Sequence, residues 1–168
     1  MPKQLPETTN FLKQAERNVT LEGVMPLAKL ERLSEVLSGN SGELFAKLQF
    51  TSGKGYLGLH GEVEGSLELI CQRCLQPMKH TVSGQFKFGL MTDEKYIDKV
   101  PSDADPYLLE GVEQSVVEIL EDELLLSIPI SATHQKACSE FLHQQDEERR
   151  VEKEKSNPFA VLKDLKID

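Results

Sequence analysis

Between Leu44 and Leu90 apolar and polar residues alternate in short runs, and this period of two limits the chain to a half-buried antiparallel sheet. Leu44, Ala46, Leu48 and Phe50 form the first run. Ser52-Gly53-Lys54-Gly55 reads as a turn, followed by Leu57, Leu59, Gly61 and Val63. Glu64-Gly65 separates these from Leu67, Leu69 and Cys71, and the last run holds Val82, Phe86, Phe88 and Leu90. Four strands joined by short Gly-containing turns predict a four-stranded antiparallel β-meander with one face in the core. Helical spacing flanks it. Thr8 to Asn18 reads as a short helix capped by Thr9 or Asn10. Pro26 to Leu37 carries a leucine stripe ended by Gly39, and Gly111 to Ser127 sets Val112, Val116, Ile119, Leu120 and Leu124 opposite acids. Thr92 to Pro106 reads as loop, Glu140 to Lys155 as charge-rich helix, and Asn157 to Leu162 as a capped terminal turn. The expected class is α+β, with the meander between N-terminal and C-terminal helices. One domain over 1–168 is expected, with 1–20 and 141–168 as extensions tied less firmly to it.

Charge distribution says more than its sum. The net charge is −9, and the eleven acids and two lysines between Thr92 and Leu126 account for all of it. A globally acidic chain is a poor binder of phosphate, but outside this stretch the charges balance. No run reaches the length of a membrane span, and Met1 to Pro6 does not lead into an apolar segment, so no secretory signal is expected. Three cysteines without such a signal do not suggest a disulfide framework, and the cytoplasm is the expected location.

The sharpest local feature is Cys71-Gln72-Arg73-Cys74, placed between the third and fourth expected strands. A C-x-x-C on a hairpin tip aims two thiolates at one point, as half of a tetrahedral zinc site does. His134 and Cys138 offer the other half, and on a helix their spacing would put them on one face. His60, His80 and His143 are rival ligands. Three readings stand: a structural zinc at Cys71, Cys74, His134 and Cys138; reduced cysteines packed as small hydrophobes; or a redox dithiol. The last usually requires a helix N-terminus after the first Cys, and Leu75-Gln76-Pro77 does not look like one. No phosphate-binding loop, dinucleotide glycine fingerprint, nucleophile elbow or H-E-x-x-H is present. The chain is therefore expected to bind and not to be an enzyme.

The succession Cys71-Gln72-Arg73-Cys74-Leu75-Gln76-Pro77, then Val117 to Pro129, then His134 and Cys138, then Asn157-Pro158-Phe159-Ala160-Val161-Leu162 resembles the YceD family of large ribosomal RNA subunit accumulation proteins. The order fits from about Leu21 to Leu165. The resemblance implies a role in the synthesis, processing or stability of 23S ribosomal RNA, with no established reaction. Two kinds of partner then compete. Direct contact with 23S rRNA or its precursor would use Arg73 and Lys79 near the hairpin, with Lys87, Phe86 and Phe88 beside them. Phe86 and Phe88 share the phase of core residues. A basic large-subunit ribosomal protein or assembly factor would instead meet an acidic face at Glu118, Glu121 and Asp122. Asn157, Pro158 and Phe159 either form a docking peptide or fold back onto the sheet. The function of an unlike class is a thiol or zinc protein that uses Cys71 and Cys74 for redox work or metal handling.

Overall fold

A computed structural model describes residues 3–53, 55–136 and 138. In chain order its elements are β1 (Thr8–Thr9), α1 (Phe11–Glu16), β2 (Thr20–Pro26), a 3-10 turn (Leu27–Lys29), α2 (Glu31–Ser34), β3 (Glu43–Gly53), β4 (Tyr56–Ile70) and β5 (Pro77–Met91). A second 3-10 turn (Glu94–Lys99), β6 (Asp105–Leu108), β7 (Gln114–Ser115) and α3 (Val116–Ser127) follow. The class is α+β. A five-stranded sheet runs in the order β2-β3-β4-β5-β6, and a small sheet pairs β1 with β7. The first four strands are antiparallel neighbours, and β6 is parallel to β5.

The sheet is thus one strand larger than expected, and its strands are divided differently. The second and third expected strands are one, β4. Gly65 does not turn the chain but pairs with Val82, and the Leu44 side chain lies 2.2 Å from where a Cβ on Gly65 would sit. Glycine here makes room for a neighbour. Gly61 does the same for Phe86, whose ring lies 1.9 Å from the position of a Cβ and directly across the ladder. β2 hid from the alternation rule because Val24 and Met25 are both buried. Residues 3–5 cover that edge: the Val24 N–H donates to the Lys3 carbonyl and the Leu5 N–H to the Val24 carbonyl, at 2.9 and 3.0 Å.

The helices are shorter than their patterns. At Asn10 the side chain accepts from the Lys13 N–H at 2.8 Å and caps α1. The leucine stripe from Pro26 does not form one helix, because Leu30 stands at φ −98°, ψ 80°, outside the helical region. Burial was the reliable part of that pattern: Leu27, Leu30 and Leu33 are all in the core. The helix expected from Gly111 begins at Val116, where Ser115 Oγ accepts from the Glu118 N–H at 3.1 Å. Val112 precedes it and is exposed. The expected loop at 92–106 contains a 3-10 turn and the first residues of β6. The expected helix at 140–155 and the turn at 157–162 lie outside the described residues.

One contiguous core joins the helices to a single face of the sheet. Phe11 of α1 meets Phe50 of β3 edge-on, with ring centroids 5.1 Å apart. Val116, Ile119, Leu120 and Leu124 bury the inner stripe of α3. Among the described residues no helix is long and apolar enough to cross a membrane.

Candidate functional site

The link from β4 to β5 is a tight knuckle over residues 71–76. The Cys71 N–H donates to the Gln76 carbonyl at 3.0 Å, and the Leu75 N–H donates to the Cys71 carbonyl at 2.9 Å. Leu75 turns the chain at φ 58°, a left-handed conformation that costs a non-glycine residue energy. A third bond carries the knuckle's long-range effect. The Gln72 N–H donates to the Ala132 carbonyl at 2.8 Å and ties the segment after α3 to the knuckle.

That tie brings His134 and Cys138 to the cysteine pair. The ligand atoms of Cys71, Cys74, His134 and Cys138 all lie within 4.8 Å of one another. Cys71 is buried and the other three are half-buried. Cys71 Sγ stands 3.7 Å from Cys138 Sγ, and Cys74 Sγ stands 3.5 Å from His134 Nδ1. A tetrahedral zinc has sulfur–sulfur edges of about 3.8 Å and sulfur–nitrogen edges of about 3.6 Å, from its usual bond lengths. Both separations match. Three sulfurs and one imidazole are also a donor set that zinc favours. The expected helix does not carry the second half-site. Residues 131–136 are irregular, and the bond from Gln72 places them instead.

The thiols differ in their hold on protons. Burial raises the Cys71 pKa, but N–H donors of Cys74, His134 and Arg73, with the Cys74 side chain, outweigh it and lower the value to about 5. The Arg73 N–H lies 3.4 Å from Cys71 Sγ. Cys138 is pushed up to about 11, first by burial and then by its contacts with Cys74 and Cys71. Cys71 thus carries a thiolate stabilised by backbone donors, whereas a dication would have to displace the proton of Cys138. Four ligands close a tetrahedron and leave no position for a substrate, as structural sites do. The rival histidines stand elsewhere: His60 pairs with Gln49 and Lys87 across the sheet, and His80 pairs with Leu67. His143 lies outside the described residues.

The other expected site residues do not converge. Arg73 is half-buried in the knuckle, and Lys79 is exposed on β5 opposite Glu68. Lys87 forms an ion pair with Asp103. Phe86 is buried, and the half-buried Phe88 packs with tilted rings between Phe86 and Tyr107, with centroids 5.2 and 5.3 Å apart, so its ring is engaged on both sides. Asn157, Pro158 and Phe159 lie outside the described residues.

The acidic face on α3 needs correction at one position. Glu118 and Asp122 are exposed, and Asp122 pairs with Arg32 Nη1 at 2.9 Å. Glu121 is buried at 3% exposure. Its carboxylate accepts from the Arg32 and Leu33 N–H groups at 2.8 and 3.3 Å and from Arg32 Nε at 3.0 Å. It therefore closes the free N–H groups of α2, which no side chain of α2 itself caps. The hidden start of α2 was the missing signal. Glu121→Ala is expected to lower the thermal midpoint by several degrees, since it orphans buried donors. The pair Glu118→Gln and Asp122→Asn should move it far less. Equal melting curves for the two proteins would refute this role for Glu121.

The family model described as Large ribosomal RNA subunit accumulation protein YceD matches residues 59–166. A curated protein of Haemophilus influenzae, named Large ribosomal RNA subunit accumulation protein YceD, is 29% identical over 168 residues, covering 97% of each chain. No solved structure matches the chain.

Proposed function

The chain belongs to the YceD family of large ribosomal RNA subunit accumulation proteins, and from that premise we propose that it serves 23S ribosomal RNA by binding, without catalysing a reaction. Its step lies in the synthesis, processing or stability of that RNA, in the cytoplasm where large subunits are assembled. The partner is the rRNA or its precursor, or a basic large-subunit ribosomal protein or assembly factor. The observation that carries this reading is the family match across 59–166, joined by a relative aligned along nearly all of its length. The family name describes accumulation and no reaction.

The knuckle supports the reading as a frame. A zinc held by Cys71, Cys74, His134 and Cys138 would fix the end of the long β4–β5 hairpin to the segment after α3. In that role it supplies rigidity, while the chain's own side chains do the binding. Arg73 lies inside this frame and Lys79 beside it, so charge reversal at both tests direct RNA contact. Glu118 and Asp122, without Glu121, test the protein partner. Asn157, Pro158 and Phe159 remain a candidate docking peptide, best tested by truncation before Asn157. The alternative of redox work at Cys71 and Cys74 has less support, because the pair stands in a hairpin and not at a helix N-terminus.

The experiment is sedimentation of the tagged protein from growing cells, with each gradient fraction probed for the protein and for 23S precursors. Co-migration with large-subunit precursors, and not with mature ribosomes, is expected. Protein confined to the top of the gradient under gentle lysis would overturn a role on assembling particles.

A further inference from the structure

The core occupies one face of the sheet, and the outer face carries a groove of about 420 Å³. Phe45 of β3, Glu62 and Glu64 of β4, and Ser83 and Gln85 of β5 line it. All five are exposed, as strand alternation requires when Leu44, Ala46, Val63 and Val82 point into the core. Phe45 differs from the others in kind, an aromatic ring on the outer face at 40% exposure. Among the described residues no other ring and no cation stands against it. Glu64 is its direct partner across the ladder, and Glu62 is the next outward residue along β4. Gln85 Nε2 donates to Glu62 at 3.5 Å, and among the described residues neither carboxylate has an ion pair. Lys47 stands opposite Glu22 on one side and Glu62 on the other. The charged outward neighbours of Phe45 on β2, β3 and β4 are therefore four acids, Glu22, Glu43, Glu62 and Glu64, and one base, Lys47.

Charge and shape together narrow the occupant. The acids oppose any phosphate, so a nucleic-acid strand does not suit this groove. They attract a cation, and the free ring beside them favours a cation that is flat. A lysine ammonium is a compact, strongly hydrated point charge. An arginine guanidinium is planar, stacks on an aromatic face and presents a fork of N–H donors that matches carboxylates. We propose that this groove takes an arginine side chain of a basic protein segment, with the guanidinium over Phe45 and its N–H groups on Glu64 and Glu62. The proposal rests on the reading that a basic large-subunit protein or assembly factor is the partner, and it names the surface. That surface is the outer sheet face and not α3, where Asp122 already holds Arg32.

The test titrates the full chain, labelled with nitrogen-15, with a short peptide in which Arg alternates with Ser, and with its counterpart carrying Lys for every Arg. The Arg peptide should bind more tightly, and it should shift the amide signals of Phe45, Glu62, Glu64 and Ser83. A cation over an exposed ring contributes about two- to fivefold in affinity, so Phe45→Leu should weaken the Arg peptide by that factor and the Lys peptide by less. Glu62→Gln combined with Glu64→Gln should weaken the Arg peptide by about tenfold, from the loss of charge-assisted bonds, and should flatten its salt dependence. All three positions are exposed, and unchanged amide dispersion of the variants confirms that they fold. Equal affinity for the two peptides with no effect of Phe45→Leu, or no binding by the parent protein at low salt, would overturn the proposal. Signal shifts gathered around Glu118 and Asp122 would assign the peptide to α3 and overturn it too. So would an oligouridylate that by itself shifts the signals of the groove, since that would assign it to RNA. Sedimentation separates the two levels. A parent protein that migrates with large-subunit precursors but shows no preference for Arg loses the groove and keeps the family role.

Discussion

Titration of the purified protein's thiols with an organomercurial is expected to release about one zinc per chain, as a closed four-ligand site requires. Cys71→Ser and Cys138→Ser should each abolish that release. Metal removal should also destabilise the fold. A ligand at a thousand times its dissociation constant stabilises the state that binds it by about 4 kcal/mol. For a chain of this length that corresponds to a fall of about 8–16 °C in the thermal midpoint. The reason is visible in the backbone: the segment at Ala132 is tied to the knuckle by the bond from Gln72, and metal would add four links there. Full thiol reactivity with no metal released and no change in melting would sink the assignment.

Acid should act in the same direction as a chelator, since zinc is held by deprotonated ligands. The metal-free protein has its own pH limits. Cys71 is lowered to about 5, so its contribution is present above its ordinary pKa and fades as pH falls through 5. Cys138 is raised to about 11, so its contribution is present below its ordinary pKa and fades as pH rises through 11. Loading zinc near neutrality must also expel the proton that Cys138 holds, which a weakly buffered calorimetric titration would register.

Phe50→Ala is expected to be the most damaging single change outside the Cys-His cluster. Phe50 is fully buried and meets Phe11 edge-on, so truncation empties the contact between α1 and β3. Such substitutions cost about 3–5 kcal/mol, a large share of the roughly 5–15 kcal/mol that holds a domain folded. A midpoint lower by about 6–20 °C should follow. Phe50→Leu keeps most of the volume, and about 1.5 kcal/mol or less should be lost. If denaturant unfolding ranks the two variants equally, α1 does not brace the sheet through this ring.

Alternation and helical spacing sorted the inner residues well. Leu44, Ala46, Leu48, Phe50, Leu59, Val63, Leu67 and Leu69 were legible as one buried face because strand side chains change sides at every residue. The proximity of Cys71 and Cys74 was legible too, because C-x-x-C needs only a local turn to bring two sulfurs together. The family was readable from the order of short motifs.

What the chain does over long distances was not legible. Gly65 read as a break, yet it continues a strand, because its missing side chain is filled by Leu44 from β3. β2 does not show alternation because Gly23, Val24 and Met25 are buried in succession. Glu121 looked like solvent-facing charge until α2 presented its free N–H groups to it. His134 and Cys138 have a helical spacing in the sequence, but a backbone bond from Gln72 to Ala132 sets their place. By itself the sequence determined which apolar residues of β3 and β4 face inward and which side chains have ligand chemistry, since both depend on residue type and local period. Only the tertiary structure decided which strand is continuous, which acid is buried and how the two halves of the Cys-His cluster meet, since each depends on a neighbour distant along the chain.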